Sequence, residues 1–124
     1  MKKILIVDDQ IEVRELVQVT LEIGDYQILS AENGQQAIDI AQAEHPDIIL
    51  MDIMMPGSEV DGLEACRRLK ADTATNDITI VMLSAKGQES DVDAGRVAGA
   101  DDYFTKPFSP IALIEKVEAV IGED

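Results

Sequence analysis

The stretch ILIVDDQ, residues 4–10, joins a run of four apolar residues to two adjacent carboxylates, Asp8 and Asp9. An unbroken apolar run of this length is typical of a strand that is buried on both faces, as in a parallel sheet. Two negative charges at the end of such a strand repel each other unless something nearby compensates them. The stretch therefore predicts a parallel sheet with a polar site at the end of its first strand.

The same alternation of apolar strand and amphipathic helix continues along the chain. Apolar residues recur at helical spacing from Val13 to Leu21, and DIILMD at 47–52 and ITIVMLS at 78–84 are further apolar runs. The segments YQILSA and DYFT, which begin at Tyr26 and Asp102, are more mixed or shorter, as is typical of edge strands. Five strands alternating with five helices predict an α/β fold: a doubly wound, flavodoxin-like parallel sheet of order 2-1-3-4-5.

The composition fits one domain over residues 1–124, because a chain of 124 residues can bury a self-sufficient core. The chain is 46% hydrophobic but only 3% aromatic, so the core has to consist mainly of aliphatic side chains. The lone Cys66 excludes a disulfide framework within the chain, and the first apolar run is too short for a signal peptide or a membrane span. These features predict a cytoplasmic protein.

Acidic residues outnumber basic ones by 25 to 10, which gives a formal net charge of -15 at pH 7. A surface of this sign repels phosphate backbones and anionic lipids, so direct binding of nucleic acid or of membranes is not expected. Basic protein surfaces and cations are the expected partners, although scattered glutamates also favour solubility alone.

Polar residues follow four of the predicted strands, on the side where an open α/β sheet binds ligands. They are Asp8 and Asp9 after the first strand, Asp52 at the end of the third, Ser84 at the end of the fourth and Lys106 after the fifth. Each alone is typical of a helix cap, a turn or a solvated charge, and Asp9 could cap the first helix. Three converging carboxylates, however, need a bound cation or protonation of at least one of them.

A hard divalent cation such as Mg2+ is the simplest partner for three carboxylates that leave room for water. A carboxylate beside such an ion can attack a phosphoryl group, which makes Asp52 a candidate nucleophile that would form an acyl phosphate. Lys106 and Ser84 can then neutralise and hydrogen-bond the phosphoryl oxygens. His45, the only histidine, precedes Pro46 on the opposite edge of the predicted sheet, so a phosphohistidine donor has to belong to another protein.

As a set, these residues in their sequence contexts resemble the receiver domain of two-component response regulators. The contexts are the pair Asp8 and Asp9, DIILMDIMMPG around Asp52, VMLSAK around Ser84 and YFTKPF around Lys106. The resemblance extends from Lys3 to about Ile121. It is specific because it requires order, spacing and element context together.

The resemblance implies that Asp52 accepts a phosphoryl group from a histidine kinase or a histidine phosphotransfer protein. It implies an Mg2+ or Mn2+ cofactor, held by Asp8, Asp9, Asp52 and the backbone carbonyl of Met54. It implies that Ser84, the backbone amide of Ala85 and Lys106 bind the phosphoryl group. It also implies that Ser84 and Tyr103 act as a switch pair. A domain of this kind is a phosphoacceptor and not a turnover enzyme; at most it catalyses its own phosphorylation and dephosphorylation.

The family also implies a cis peptide bond before Pro107 and an output surface on the fourth helix, fifth strand and fifth helix. Phosphorylation would alter that surface and thereby change binding to a downstream target, to an effector domain outside this chain, or to a second copy in a homodimer.

Two features depart from the family pattern. The loop after the phosphoacceptor reads MPGSEVDG at residues 55–62, about two residues longer than the common MPGMDG. The extra length lies beside the predicted site and is expected to alter partner access or local order. Met54 and Lys86 occupy positions that the family varies to tune the lifetime of the acyl phosphate.

Two other functions compete with this interpretation. A Mg2+-dependent phosphohydrolase resembling the haloacid dehalogenase family needs a second carboxylate two residues after its nucleophile, and that position here is Met54. A binding module of receiver shape that is never phosphorylated usually lacks one of the acidic residues or the lysine, whereas this chain has them all. Binding of a phosphate analogue with Mg2+ separates a working site from an inactive one.

Overall fold

The computed structural model describes residues 2–53, 55–85, 89–106 and 109–121. Within these ranges, five strands alternate with five helices. The strands are β1 (Lys2–Val7), β2 (Tyr26–Ala31), β3 (Ile48–Asp52), β4 (Thr79–Ala85) and β5 (Asp102–Lys106). The helices are α1 (Ile11–Leu21), α2 (Gly34–Glu44), α3 (Gly62–Ala71), α4 (Glu89–Ala98) and α5 (Pro110–Ile121).

The strands form one parallel sheet in the order β2-β1-β3-β4-β5, which confirms the predicted fold class and strand order. The chain runs from β1 outward to β2 and then crosses back to β3 on the other side of β1. This reversal creates a crevice outside the carboxyl ends of β1 and β3, which is where open α/β sheets bind ligands.

The sheet is covered on both faces, which explains why residues 4–7 of β1 and 48–51 of β3 are all apolar and buried. Residues 4–7 of β1 are all 0% exposed, and their side chains alternate between two hydrophobic clusters. Leu5 and Val7 belong to the cluster that includes side chains of α2 and α3, whereas Ile4 and Ile6 belong to the cluster that includes side chains of α1 and α5. Each fully buried side chain of this size stabilises the fold by about 1.5 to 3 kcal/mol.

Helix α3 begins at Gly62, directly after a capping residue. The Oδ1 atom of Asp61 accepts a hydrogen bond of 2.9 Å from the backbone N–H of Glu64. Cys66, on the buried side of this helix, is a free cysteine, and burial raises the pKa of its thiol to about 11. The thiol therefore stays protonated at neutral pH and packs as a small apolar side chain.

The helices within the described ranges have 10 to 12 residues. None of them combines the length and the apolar character that crossing a membrane requires.

At the amino-terminal edge of the sheet, His45 follows α2 with a positive φ of 47°. Its Nε2 atom lies 2.9 Å from Oδ1 of Asp77, and this hydrogen bond lowers the pKa of the Asp77 carboxyl from its ordinary value of 3.8. We expect His45→Asn, which tolerates the same backbone conformation but has a shorter side chain, to return the pKa of Asp77 toward 3.8. Carboxyl titration followed by NMR would measure this change.

A lowered pKa in the folded state stabilises the fold at pH values above the unfolded pKa of Asp77, and this contribution disappears as the pH falls through the lowered value. Both side chains are exposed, so the thermal midpoint should hardly change. The carboxyl of Asp39, exposed on α2, serves as the internal control. Equal titration of Asp77 in both proteins would show that the contact with His45 does not persist in solution.

Candidate functional site

Three carboxylates meet at the carboxyl ends of β1 and β3. Asp8 and Asp9 directly follow β1, and Asp52 is the last residue of β3, the neighbouring strand. One oxygen from each side chain lies within 4.8 Å of the others. The two strands pair in register up to Val7 and Met51, and this register brings the next residues of both strands to the same edge.

Asp8 is fully buried, and neighbouring elements fix its position. Its N–H donates to the carbonyl of Ala31 at 3.2 Å, which extends the pairing of β1 with β2 by one residue. Its Oδ1 accepts from the N–H of Gln10 at 2.9 Å, and its carbonyl accepts from Arg14 at 2.6 Å. Arg14 also lies 3.9 Å from the carboxylate of Glu32, so it joins the ends of β1 and β2.

Gln10 and Arg14 also contact Asp8, and neither residue was predicted from the sequence to belong to the site. Gln10, not Asp9, is the residue before α1, and its side chain makes no capping hydrogen bond. The possibility that Asp9 caps α1 is therefore wrong, and Asp9 instead stays exposed beside the other two carboxylates. The position of Arg14 within the first turns of α1, six residues after Asp8, is the only sequence signal that could have indicated its role.

Asp52 is only 7% exposed, and the backbone on both sides of it is fixed. The N–H of Ile53 donates to the carbonyl of Leu83 at 3.1 Å, which continues the pairing of β3 with β4 beyond the strand. A Cβ atom at Gly62 would lie 1.9 Å from the carbonyl oxygen of Asp52, so α3 begins in direct contact with this residue. The side chain of Asp52 thus projects from a rigid position.

The arrangement of charge and burial suits a divalent cation. At a separation near 4.8 Å, two carboxylates repel each other by about 3 kcal/mol at an effective dielectric constant of 20. Oxygen ligands from three carboxylates are the donor set that Mg2+ prefers, and the exposed Asp9 leaves one side open to water. The residues present therefore fit the implied metal.

The other predicted site residues lie on β4 and β5 or next to the strands. Ser84 pairs with Thr105 and Ala85 with Lys106, so their backbones reach the same edge of the sheet as Asp52, which pairs with Leu83. The structure describes only the backbone of Ser84, Ala85 and Lys106. Met54, Lys86 and Pro107 lie outside the described residues.

Tyr103, the predicted switch aromatic, lies on β5, where it pairs with Met82 of β4. Its side chain is 43% exposed, whereas its strand neighbour Phe104 packs against the cluster on the α1 and α5 face. Tyr103 is thus on the opposite face of β5 from that cluster, at an edge strand that solvent reaches.

A doubly wound parallel sheet with three carboxylates at its switch point defines a class of α/β domain with an oxygen-lined site suited to a cation. Within that class, the chain belongs to the response regulator receiver domain family, whose family model matches residues 4–118. Residues 4–118 contain most of β1, every element from α1 to β5, most of α5 and all three carboxylates.

Individual relatives support the same assignment. The phosphate regulon transcriptional regulatory protein PhoB of Pseudomonas aeruginosa is 50% identical over 120 residues, which cover 97% of this chain and 52% of that protein. The chain thus spans about half the length of the curated relatives it matches.

Among solved structures, the chemotaxis response regulator of Vibrio cholerae has a TM-score of 0.88 and 30% identity, covering 97% of this chain and 98% of that one. The receiver domain of a sensor histidine kinase from Pseudomonas aeruginosa also has a TM-score of 0.88, with 29% identity and 98% coverage of both chains. That structure has a magnesium ion coordinated in its active-site cleft.

Proposed function

We propose that this chain is a phosphoacceptor switch of a two-component system, in which Asp52 takes a phosphoryl group from a phosphohistidine of another protein. The observation that carries the proposal is the convergence of Asp8, Asp9 and Asp52 within 4.8 Å at the switch point of a receiver fold. Among them, Asp52 is the one that ends a central strand. This position makes it the best candidate for the nucleophile.

The three carboxylates, together with the backbone carbonyl of Met54, would hold Mg2+ or Mn2+. When bound, the ion would offset the negative charge of the phosphoryl oxygens. The donor set fits this role, because all three side chains offer carboxylate oxygens and Asp9 faces solvent. The hydrogen bond from the N–H of Gln10 keeps one oxygen of Asp8 in place.

In the transfer step, a carboxylate oxygen of Asp52 forms a bond to phosphorus while the phosphorus–nitrogen bond of the donor breaks. The electron pair of that bond returns to the imidazole of the donor, and the product is an acyl phosphate on Asp52. Ser84, the backbone amide of Ala85 and Lys106 would bind the phosphoryl oxygens. The register of β4 and β5, which brings these three backbones to the same edge as Asp52, is consistent with this set.

The acyl phosphate would shift a two-state equilibrium, with Ser84 and Tyr103 as the switch pair. The exposure of Tyr103 on β5 supports this role, because an exposed aromatic side chain can change its position without opening the core. The altered surface of α4, β5 and α5 would then change affinity for a downstream protein, an effector domain or a second copy of this chain. The domain, which we assign to residues 1–124, would act in the cytoplasm and would not turn over a substrate.

Incubation with acetyl phosphate and Mg2+, followed by intact mass measurement, tests the proposal. We expect the protein to gain one phosphoryl group, and we expect this gain to disappear when Mg2+ is chelated or when Asp52 is replaced by asparagine. Asp39→Asn removes a carboxylate from the exposed face of α2 and is the matched control, which should be phosphorylated like the wild type. If neither acetyl phosphate nor a purified phosphohistidine protein modifies the chain, the proposal is wrong, and an unphosphorylated binding module becomes the better hypothesis.

A further inference from the structure

The loop between β3 and α3, residues 55–61, folds inward at both of its ends. Its first part forms a tight turn, in which the N–H of Ser58 donates to the carbonyl of Met55 at 3.1 Å and Gly57 has a φ of 88°. Met55 and Val60 are 2% and 7% exposed, and both belong to the cluster beneath α2 and α3. Part of this longer loop is therefore buried in the hydrophobic core, and only the rest lies at the surface.

Val60 fixes the loop to the start of α2. The N–H of Gly34, the first residue of α2, donates to the carbonyl of Val60 at 3.0 Å. A Cβ atom at position 34 would lie 2.2 Å from this carbonyl oxygen and 2.8 Å from Cγ1 of Val60. Because the nearest atom belongs to the backbone, a side chain at position 34 requires the loop itself to move.

The same loop ends against the acidic site. Asp61 caps α3, and Gly62 contacts the carbonyl of Asp52 so closely that a Cβ atom there would lie 1.9 Å from it. Asp61 is therefore the only residue between Val60 and Gly62, the residue that contacts Asp52. A short segment capped by Asp61 thus joins Val60 to the start of α3, which contacts the carbonyl of Asp52.

We propose that the contact between Gly34 and Val60, called here the α2 contact, is a positioning element for the metal and phosphoryl site. It fixes the loop, the loop fixes Gly62 against Asp52, and Asp52 thereby stays within ligand distance of Asp8 and Asp9. This inference deepens the proposed function and rests on it, since it assigns the site a positioning residue on α2.

The test is Mg2+ binding by the unphosphorylated protein, followed by NMR titration of the amides next to the carboxylates. We expect Gly34→Ala to raise the Kd for Mg2+ about tenfold, as is typical when a group that orients metal ligands is removed. Hydrogen exchange at residue 34 provides a direct measure, since its amide should lose protection when the α2 contact opens.

Gly99→Ala is the control for general destabilisation. Gly99 has a φ of 100° and lies before β5, at the edge of the sheet opposite the carboxylates, so alanine there adds strain far from the site. Its Kd for Mg2+ should stay within about twofold of the wild type, because distant sites act independently. A merely structural role for Gly34 would give the two variants the same Kd.

Val60→Ala provides a second measurement should Gly34→Ala not fold, because it removes buried methyl groups but keeps the carbonyl that Gly34 contacts. We expect the Kd to increase by less than the change of about tenfold expected for Gly34→Ala, because the backbone contact with Gly34 remains. An unchanged Kd in a folded variant of either residue would overturn the positioning role while leaving the proposed function intact. Failure of the wild type itself to bind Mg2+ would overturn both.

Discussion

Gly62→Ala is expected to destabilise the protein by about 3 kcal/mol or more, the largest loss of stability among the substitutions considered. The added Cβ would lie 1.9 Å from the carbonyl oxygen of Asp52 and 3.0 Å from the Cα atom of Ile53. Both atoms belong to backbone fixed by the pairing of β3 with β4, so neither can move without breaking the sheet at the site. Alanine is the better helix former by about 1 kcal/mol, which offsets only part of this cost.

Chemical denaturation of wild type and variant measures this effect. The matched control is Gly57→Ala, because Gly57 has a φ of 88° but a Cβ atom there would have open space, with nothing beyond its chain neighbours within 4 Å. That variant tests backbone conformation alone and should lose about 1 to 2 kcal/mol. If Gly62→Ala were no more destabilising than Gly57→Ala, the close approach of α3 to Asp52 would not exist in solution.

The fold could be predicted from sequence because strands that are buried on both faces appear as unbroken apolar runs. Residues 4–7 and 48–51 are unbroken apolar runs, and the structure buries all of them completely. The mixed pattern of 26–31 indicates an edge strand, and β2 lies at an edge of the sheet. Since parallel strands end at a common edge, the approximate location of the three carboxylates follows from the strand order alone.

The supporting contacts of the site could not be predicted in the same way. Val60 and Gly34 are far apart in sequence, and their hydrogen bond joins two backbone groups, which leave no trace in residue type. The sequence indicates that the loop is long and lies beside the site, but the burial of Val60 depends on the tertiary packing of α2 against α3. The role of Arg14 is hidden for a similar reason, because its partner is the backbone carbonyl of Asp8.

Asp8→Asn is expected to stabilise the metal-free protein, whereas most substitutions at buried sites destabilise the fold. In the presence of a chelator, the variant should be more stable than the wild type by about 1 to 2 kcal/mol, because it removes one charge from three carboxylates that repel one another. The amide oxygen of asparagine can still accept the 2.9 Å hydrogen bond from Gln10. Thermal unfolding with chelator present measures this difference, with Asp39→Asn as the exposed control that should change stability by less than about 0.5 kcal/mol.

Mg2+ should then invert the order of stability. A ligand that binds only the folded state stabilises it by about 2.7 kcal/mol at a concentration 100 times its Kd, and the wild type should gain this amount. Asp8→Asn has one charged ligand fewer, so it should gain much less and become the less stable of the two proteins. A variant that is less stable than the wild type already in chelator would show that carboxylate repulsion is compensated within the protein itself. The inversion links the two roles of the site, because the charge that destabilises the metal-free fold is the charge that binds the metal.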